Sequence, residues 1–273
     1  MNPTLHVGRI PFLVCAPYFH ASLSGYSGAD FRDGAPSALN PLLASGGIDC
    51  APSSSFEYAR HPDRYLLLPG LCTSGRGEVK SVLLFSNEPW ESLDKKPVLL
   101  SPDSATSNAL FRVLSRFHFG VDPECLEVGQ EHGATPAARV AIGDAALRES
   151  HVGRWPHRYD LADVWKSWKG VPLPFGLWMV RADAWQSKRE AVLRYYEHLR
   201  ASLSSFFADP SAALTAWSRV YPLPLPWEKA LAFFPAADYD LKPEHERALA
   251  DFYGHCHELG LLSAPPGLRY VPV

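Results

Sequence analysis

A chain of 273 residues, 47% hydrophobic and 20% charged, is long enough to bury a sizeable core as one large domain or two medium ones. Its formal net charge of −3 provides no long-range attraction for nucleic acid, and no run of about eighteen apolar residues suggests a membrane span. The start MNPTLHVGRIPFLV lacks a basic n-region and a cleavage site, so the expected location is cytoplasmic, and the five cysteines, without a C-x-x-C pair, read as reduced packing residues rather than disulfides or zinc ligands.

In chain order, LHVGRI predicts a strand and PYFHASLS a helix opened by Pro17. Residues 36 to 44 form a second helical pattern that ends at Ser45-Gly46-Gly47, and IDCAP is a short strand running into the hydroxyl-rich helix start SSSFEYAR. YLLLPGLC and VKSVLLFS are β-compatible runs divided by TSGRGE. PVLLS and ARVAIGDAALR open a second strand and helix system over residues 87–178, and GLWMVRA returns as a strand. From Asp183 to Phe207, Val192, Tyr195, Tyr196, Leu199, Leu203, Phe206 and Phe207 are expected on one helical face. YPLPLPWEK marks a loop, and a last helix after Pro243 carries Leu249, Phe252, Tyr253, Cys256 and Leu259 before Gly260.

Strands alternating with helices predict an α/β protein. The order of the two systems predicts two lobes, one of residues 1–86 and 179–273, the other of 87–178, with hinges near 86 and 178. Four polar stretches fall at strand ends or helix starts, where open α/β sheets bind ligands: Pro11 to Pro17, Ser53 to Ser55, Thr106 to Asn108, and Gly143-Asp144. SPDSATSNALFRVL places Ser104, Thr106, Ser107 and Asn108 in one turn, although one cap suffices; the surplus suits either generous capping or an anion on free N–H groups. Taken singly, each stretch is more simply a cap, and only their recurrence favours a common cleft. Asp144, between small apolar residues, is a candidate acid, base or hydroxyl acceptor.

The eleven histidines form no H-E-x-x-H motif, and no Walker loop, G-x-S-x-G or G-x-G-x-x-G occurs. His255 and His257 flank an apolar helix stripe and read as surface residues, and Trp155, Trp165, Trp168 and Trp178 as packing. No metal site and no cofactor is expected.

The series GRIPFLVCAP, IDCAPSSSFEYA, GEVKSVLLFS, SATSNALFRVL, AIGDAAL and DLADVWKSWKGVPLPFGLW resembles the chorismate dehydratases of the futalosine route to menaquinone, over roughly residues 6 to 180. The resemblance implies a two-lobed fold like that of type 2 periplasmic binding proteins, with a cleft between the lobes. It also implies elimination of water from chorismate, a small dianion, to give 3-[(1-carboxyvinyl)oxy]benzoate. In that reading Phe12, Val14 and Gly143 line the cleft. Thr106 and Ser107 hold one carboxylate, while Ser53, Ser54 and Ser81 bind the other or the ring hydroxyl. Asp144 and Ser81 are the catalytic candidates, with the substrate's own enolpyruvyl carboxylate as an alternative base.

Val14 departs from the family pattern, G-x-I-x-(Tyr or Phe)-x-Asn-x-x-Pro, where Asn is usual, and Lys169 stands in place of a more usual Thr. Two other readings remain: 1,4-dihydroxy-6-naphthoate synthase of the same pathway, which would call for a cleft histidine, and a non-catalytic carboxylate-binding protein of the same fold.

Overall fold

The computed structural model describes residues 4–130 and 135–273. The strands are β1 (Leu5–Arg9), β2 (Ala29–Asp33), β3 (Cys50–Ser54), β4 (Tyr65–Gly75), β5 (Val82–Ser86), β6 (Pro97–Leu99), β7 (Glu124–Leu126), β8 (Ala138–Ile142), β9 (His157–Asp160), β10 (Pro174–Arg181) and β11 (Ala237–Asp238). They form two mixed sheets. The first has the order β11-β4-β10-β3-β1-β2 and the second β7-β6-β8-β5-β9. In the first sheet β1 runs parallel to β2 and β3, and β10 enters antiparallel between β3 and β4. In the second, β6 is parallel to β7 and β8, while β5 lies antiparallel between β8 and β9.

Central strands carry unbroken apolar or small-residue runs because both faces are covered. All five residues of β3 and all five of β5 are buried. Around the first sheet the rings of Tyr18 and Tyr195 meet Trp178 edge-on at 5.3 and 5.9 Å. The helix Ala182–Ala208 turns Val192, Tyr195, Leu199 and Phe206 into this core, leaving Leu203 half-buried and Phe207 exposed. YPLPLPWEK is a loop only as far as Pro226; Trp227–Leu231 then forms one short helix. No described helix is long and apolar enough to cross a membrane.

The two sheets exchange the chain at different points from those the sequence predicts. β5 belongs to the second sheet and all of β10 to the first, so the crossings fall at residues 76–81 and 170–173 instead of near 86 and 178. The physical reason is that VLLFS is as apolar as β4, so no change of pattern marks the change of sheet. The proline and glycine of PLPFGLW likewise disguise the first residues of β10. The crossings lie side by side: Ser74 pairs with Pro174 across β4 and β10, and the Ser74 hydroxyl donates to the Leu173 carbonyl at 2.8 Å.

Asp160 organises the first crossing. One carboxylate oxygen accepts the Val79 and Lys80 N–H groups at 2.7 and 2.6 Å; the other accepts Ala162 N–H at 3.0 Å and Asp163 N–H at 3.4 Å, capping the helix Leu161–Lys169. This satisfies a turn in which Lys80 adopts a positive φ of 58°. The C-terminal helix Pro243–Glu258 closes the back, its Phe252 ring 6.4 Å from Phe56 in one lobe and 6.0 Å from Trp165 in the other.

Replacing Asp160 by Ala strands four N–H donors at the crossing and is expected to destabilise the protein by about 2–3 kcal/mol. Urea unfolding measures this, and a loss below about 0.5 kcal/mol would mean the crossing is held by other contacts.

Candidate active site

Between the lobes lies a cavity of about 110 Å³. It forms where strands end. The turn after β1 contributes Ile10, Phe12 and Val14, β3 contributes Ser53 and Ser54, and β4 contributes Thr73 and Ser74. Phe175 and Gly176 come from β10, and Ser81 from the first crossing. The second lobe supplies Asp103, Ser104 and Ser107 around one helix start, and Ile142 and Gly143 around another. This is the carboxyl-end crevice expected of an α/β architecture.

Three ties hold the lobes together over this space. The first is a knot around the fully buried Thr106, at the start of the helix Ala105–Val113. Its hydroxyl donates to the Phe175 carbonyl at 3.0 Å and accepts the Phe56 N–H at 3.1 Å, while Thr106 N–H donates to Ser54 Oγ at 2.9 Å. Because the single Thr106 proton goes to Phe175, the 2.5 Å contact between the two hydroxyls makes Ser54 the donor and Thr106 the acceptor. Ser55 Oγ, 3.2 Å from Thr106 Oγ1, completes the knot.

The second tie joins Asp144 Oδ1 to the Leu13 N–H at 2.8 Å. Beside it the Phe12 ring lies so close to Gly143 that a Cβ there would come within 2.7 Å, and the φ of +59° at Gly143 also favours glycine. The third is a 2.6 Å bond from Ser37 Oγ to Asp103 Oδ1.

Seven of the expected site residues line the cavity: Phe12, Val14, Ser53, Ser54, Ser81, Ser107 and Gly143. Thr106 and Asp144 are not in its wall. Thr106 is saturated by protein groups and has no proton to offer a carboxylate, so its expected ligand role gives way to a clasp. Asp144 likewise spends one oxygen on the Leu13 N–H; burial pushes its pKa up to about 6, against the opposing effects of that N–H and of Arg148.

Counting protons shows which lining hydroxyls are free to donate. Ser53 gives its proton to Asn40 Oδ1 at 2.6 Å, Ser54 to Thr106, Ser74 to Leu173, and Thr73 to the Tyr18 phenolic oxygen. Ser104 and Ser107 share one bond of 2.8 Å, which leaves one of their two protons unspent. The Ser81 hydroxyl has no protein partner among the described residues. Ser81 and the Ser104–Ser107 pair are therefore outward donors. Among the lining residues there is no Lys, Arg or His, and Asp103 is the one carboxylate.

Asp103 and Phe175 were not singled out by the sequence, although both lie inside quoted stretches, SPDSATS and PLPFGLW. Their signal was masked by a turn-forming Pro-Asp and a Pro-Phe-Gly. Nor is His255 a surface residue: its ring stacks on Trp168 at 5.3 Å and lies 4.7 Å from Phe117, with Lys169 Nζ at 2.7 Å. Lys169 also meets Asp251 at 3.0 Å and sits 3.8 Å over the Trp168 ring, which fastens the helix Leu161–Lys169 to the C-terminal one.

A family model described as menaquinone biosynthesis matches residues 5–258. The chain belongs to the menaquinone biosynthesis family. A chorismate dehydratase from Thermus thermophilus is 31% identical over 165 residues, covering 54% of this chain and 60% of the relative. One from Campylobacter jejuni is 31% identical over 176 residues, covering 62% and 64%. These alignments thus span less than two thirds of either relative.

Among solved structures, protein AF1704 from Archaeoglobus fulgidus matches this family member with a TM-score of 0.74 at 21% identity, covering 95% of this chain and 98% of that one. The alkanesulfonate-binding protein SsuA from Xanthomonas axonopodis pv. citri, bound to MOPS, matches at 0.66 and 15% identity, covering 97% and 96%. The fold is the two-lobed periplasmic-binding-protein-like one.

Because burial raises the Asp144 pKa, the fold favours its neutral form; this stabilisation is complete below about pH 4 and is lost as the pH rises through about 6. Asp144→Asn keeps an acceptor for Leu13 without the charge. Wild type and variant are expected to unfold alike near pH 4, with the variant ahead by about 2 kcal/mol at pH 7 after allowance for partial exposure. Parallel stability profiles would refute this account of Asp144.

Proposed function

We propose that the chain is a chorismate dehydratase, removing water from chorismate to give 3-[(1-carboxyvinyl)oxy]benzoate. The observation that carries the reading is the division of the cleft wall. Apolar Ile10, Phe12, Val14 and Phe175 offer a surface to a ring, while the unspent protons of Ser81 and the Ser104–Ser107 pair are hydrogen-bond donors for its polar substituents. The two chorismate dehydratase relatives support the same chemistry.

In this mechanism the ring C–H electron pair forms the new ring double bond as the neighbouring C–OH bond breaks, and the released hydroxide combines with a proton as water. Aromatisation drives the step, so the protein's task is positioning and local polarity. Ser81 donates to the departing oxygen, and the Ser104–Ser107 pair holds a carboxylate. The proton acceptor is the substrate's enolpyruvyl carboxylate. Asp144 is a clasp in this scheme, not a base. A cation beside the enolpyruvyl group would lower its basicity, and the cleft wall contains none.

Purified protein incubated with chorismate is expected to release the benzoate product, followed by chromatography. Ser81→Ala should lower kcat about 10²-fold, and Asp103→Asn and Asp144→Asn less than about tenfold. A loss above about 10³-fold in Asp103→Asn with chorismate binding intact would make Asp103 the base. Val14, apolar where the family pattern has an amide, favours one second reading, a carboxylate binder: thermal stabilisation by chorismate without product would establish it.

A further inference from the structure

A second groove, of about 390 Å³, adjoins the cleft and spans both lobes. Phe233 lines the groove and the cleft alike, and Lys80 of the groove directly precedes Ser81 of the cleft wall. The groove gathers Lys80, Arg158, Lys229 and His151, all exposed. Lys229, on the helix Trp227–Leu231, approaches His151 Nδ1 to 2.9 Å across the interlobe gap. Arg158 donates to Ser150 Oγ at 2.9 Å and to Glu78 at 3.0 Å, and Lys80 shares that same Glu78 at 3.7 Å. Glu78 therefore meets two of the three permanent cations, and Lys229 has no carboxylate partner among the described residues.

This patch is opposite in sign to the chain as a whole, which carries a formal net charge of −3. It also contrasts with the cleft behind it, whose wall contains no cation. We propose that the groove is a capture surface for a small dicarboxylate, which it attracts and passes over Phe233 into the cation-free cleft. The inference rests on the proposed substrate and adds to it a separation of tasks. Solvated cations beside the cleft would raise the encounter rate, while hydroxyls inside set the final geometry. Cations at the rim leave the basicity of a carboxylate bound in the interior nearly untouched, since water and salt screen them.

The test is stopped-flow tryptophan fluorescence of the full chain mixed with chorismate over a range of sodium chloride concentrations. The wild-type association rate is expected to fall steeply between about 20 and 200 mM salt. Lys229→Glu should associate about three- to tenfold more slowly at low salt, with a flatter salt dependence and an unchanged dissociation rate. Lys95→Glu, which alters an exposed lysine paired with Asp122 outside the groove, should behave as wild type. Equal association rates and salt slopes in wild type and Lys229→Glu, or a change confined to dissociation, would overturn the capture surface while leaving the substrate assignment in place. If the wild type neither binds nor converts chorismate, the substrate assignment falls and the capture surface with it.

Discussion

The cleft depends above all on the direction of one proton. Thr106 has a single hydroxyl hydrogen, committed to the Phe175 carbonyl, so every other contact of its oxygen must be accepted from a donor. That requirement orients Ser54 and places the Phe56 N–H against the start of the helix Ala105–Val113. Two lobes whose sheets share no strand are thereby joined through groups that have no better partner. A buried hydroxyl deprived of its partners costs about 1–3 kcal/mol, so opening the lobes at this point is penalised group by group. The Asp144–Leu13 bond, with Phe12 seated on Gly143, does the same from the second lobe's other helix start.

These clasps determine the chemistry left for a ligand. Hydroxyls at strand ends are numerous, but most are consumed internally, and the few unspent protons lie at Ser81 and in the Ser104–Ser107 pair. In the proposed reading, a wall of hydroxyl donors and apolar rings with one carboxylate, Asp103, and no cation would hold an anion by directed hydrogen bonds instead of by ion pairs. Such bonds strengthen as water is excluded.

The sequence made the α/β architecture and the convergence of the polar turns legible because both follow from local pattern: strand-length apolar runs, helix-start hydroxyls and the positions of glycine. It could not assign β5 to its sheet, since sheet membership depends on partners far away in the chain, and an all-buried strand reads alike in either lobe. Residue roles were obscured for a related reason. Thr106 looked like a ligand group by type and place, but a hydroxyl becomes one only if its own protein has not already satisfied it; Asp144 keeps one oxygen unspent but lies outside the cleft wall. Asp103 was missed for the converse reason: beside Pro102 it resembles an ordinary turn residue, and only the folded chain brings it to the cleft wall beside Ser107.

In the proposed reaction, attraction and reactivity make opposed demands on charge. A cation tight against a carboxylate holds it firmly and also lowers its pKa, which weakens it as a base. If the substrate supplies its own base, firm ion pairing inside the cleft would oppose the step the enzyme must accelerate. An interior of hydroxyls avoids this because a neutral donor perturbs basicity less than a full charge at the same distance. The cost is a slower encounter between a dianion and a chain of net negative charge, and that cost is met most economically by cations placed where they act at long range and in water. The arrangement of Lys80, Arg158 and Lys229 outside a cleft that contains no cation has this form.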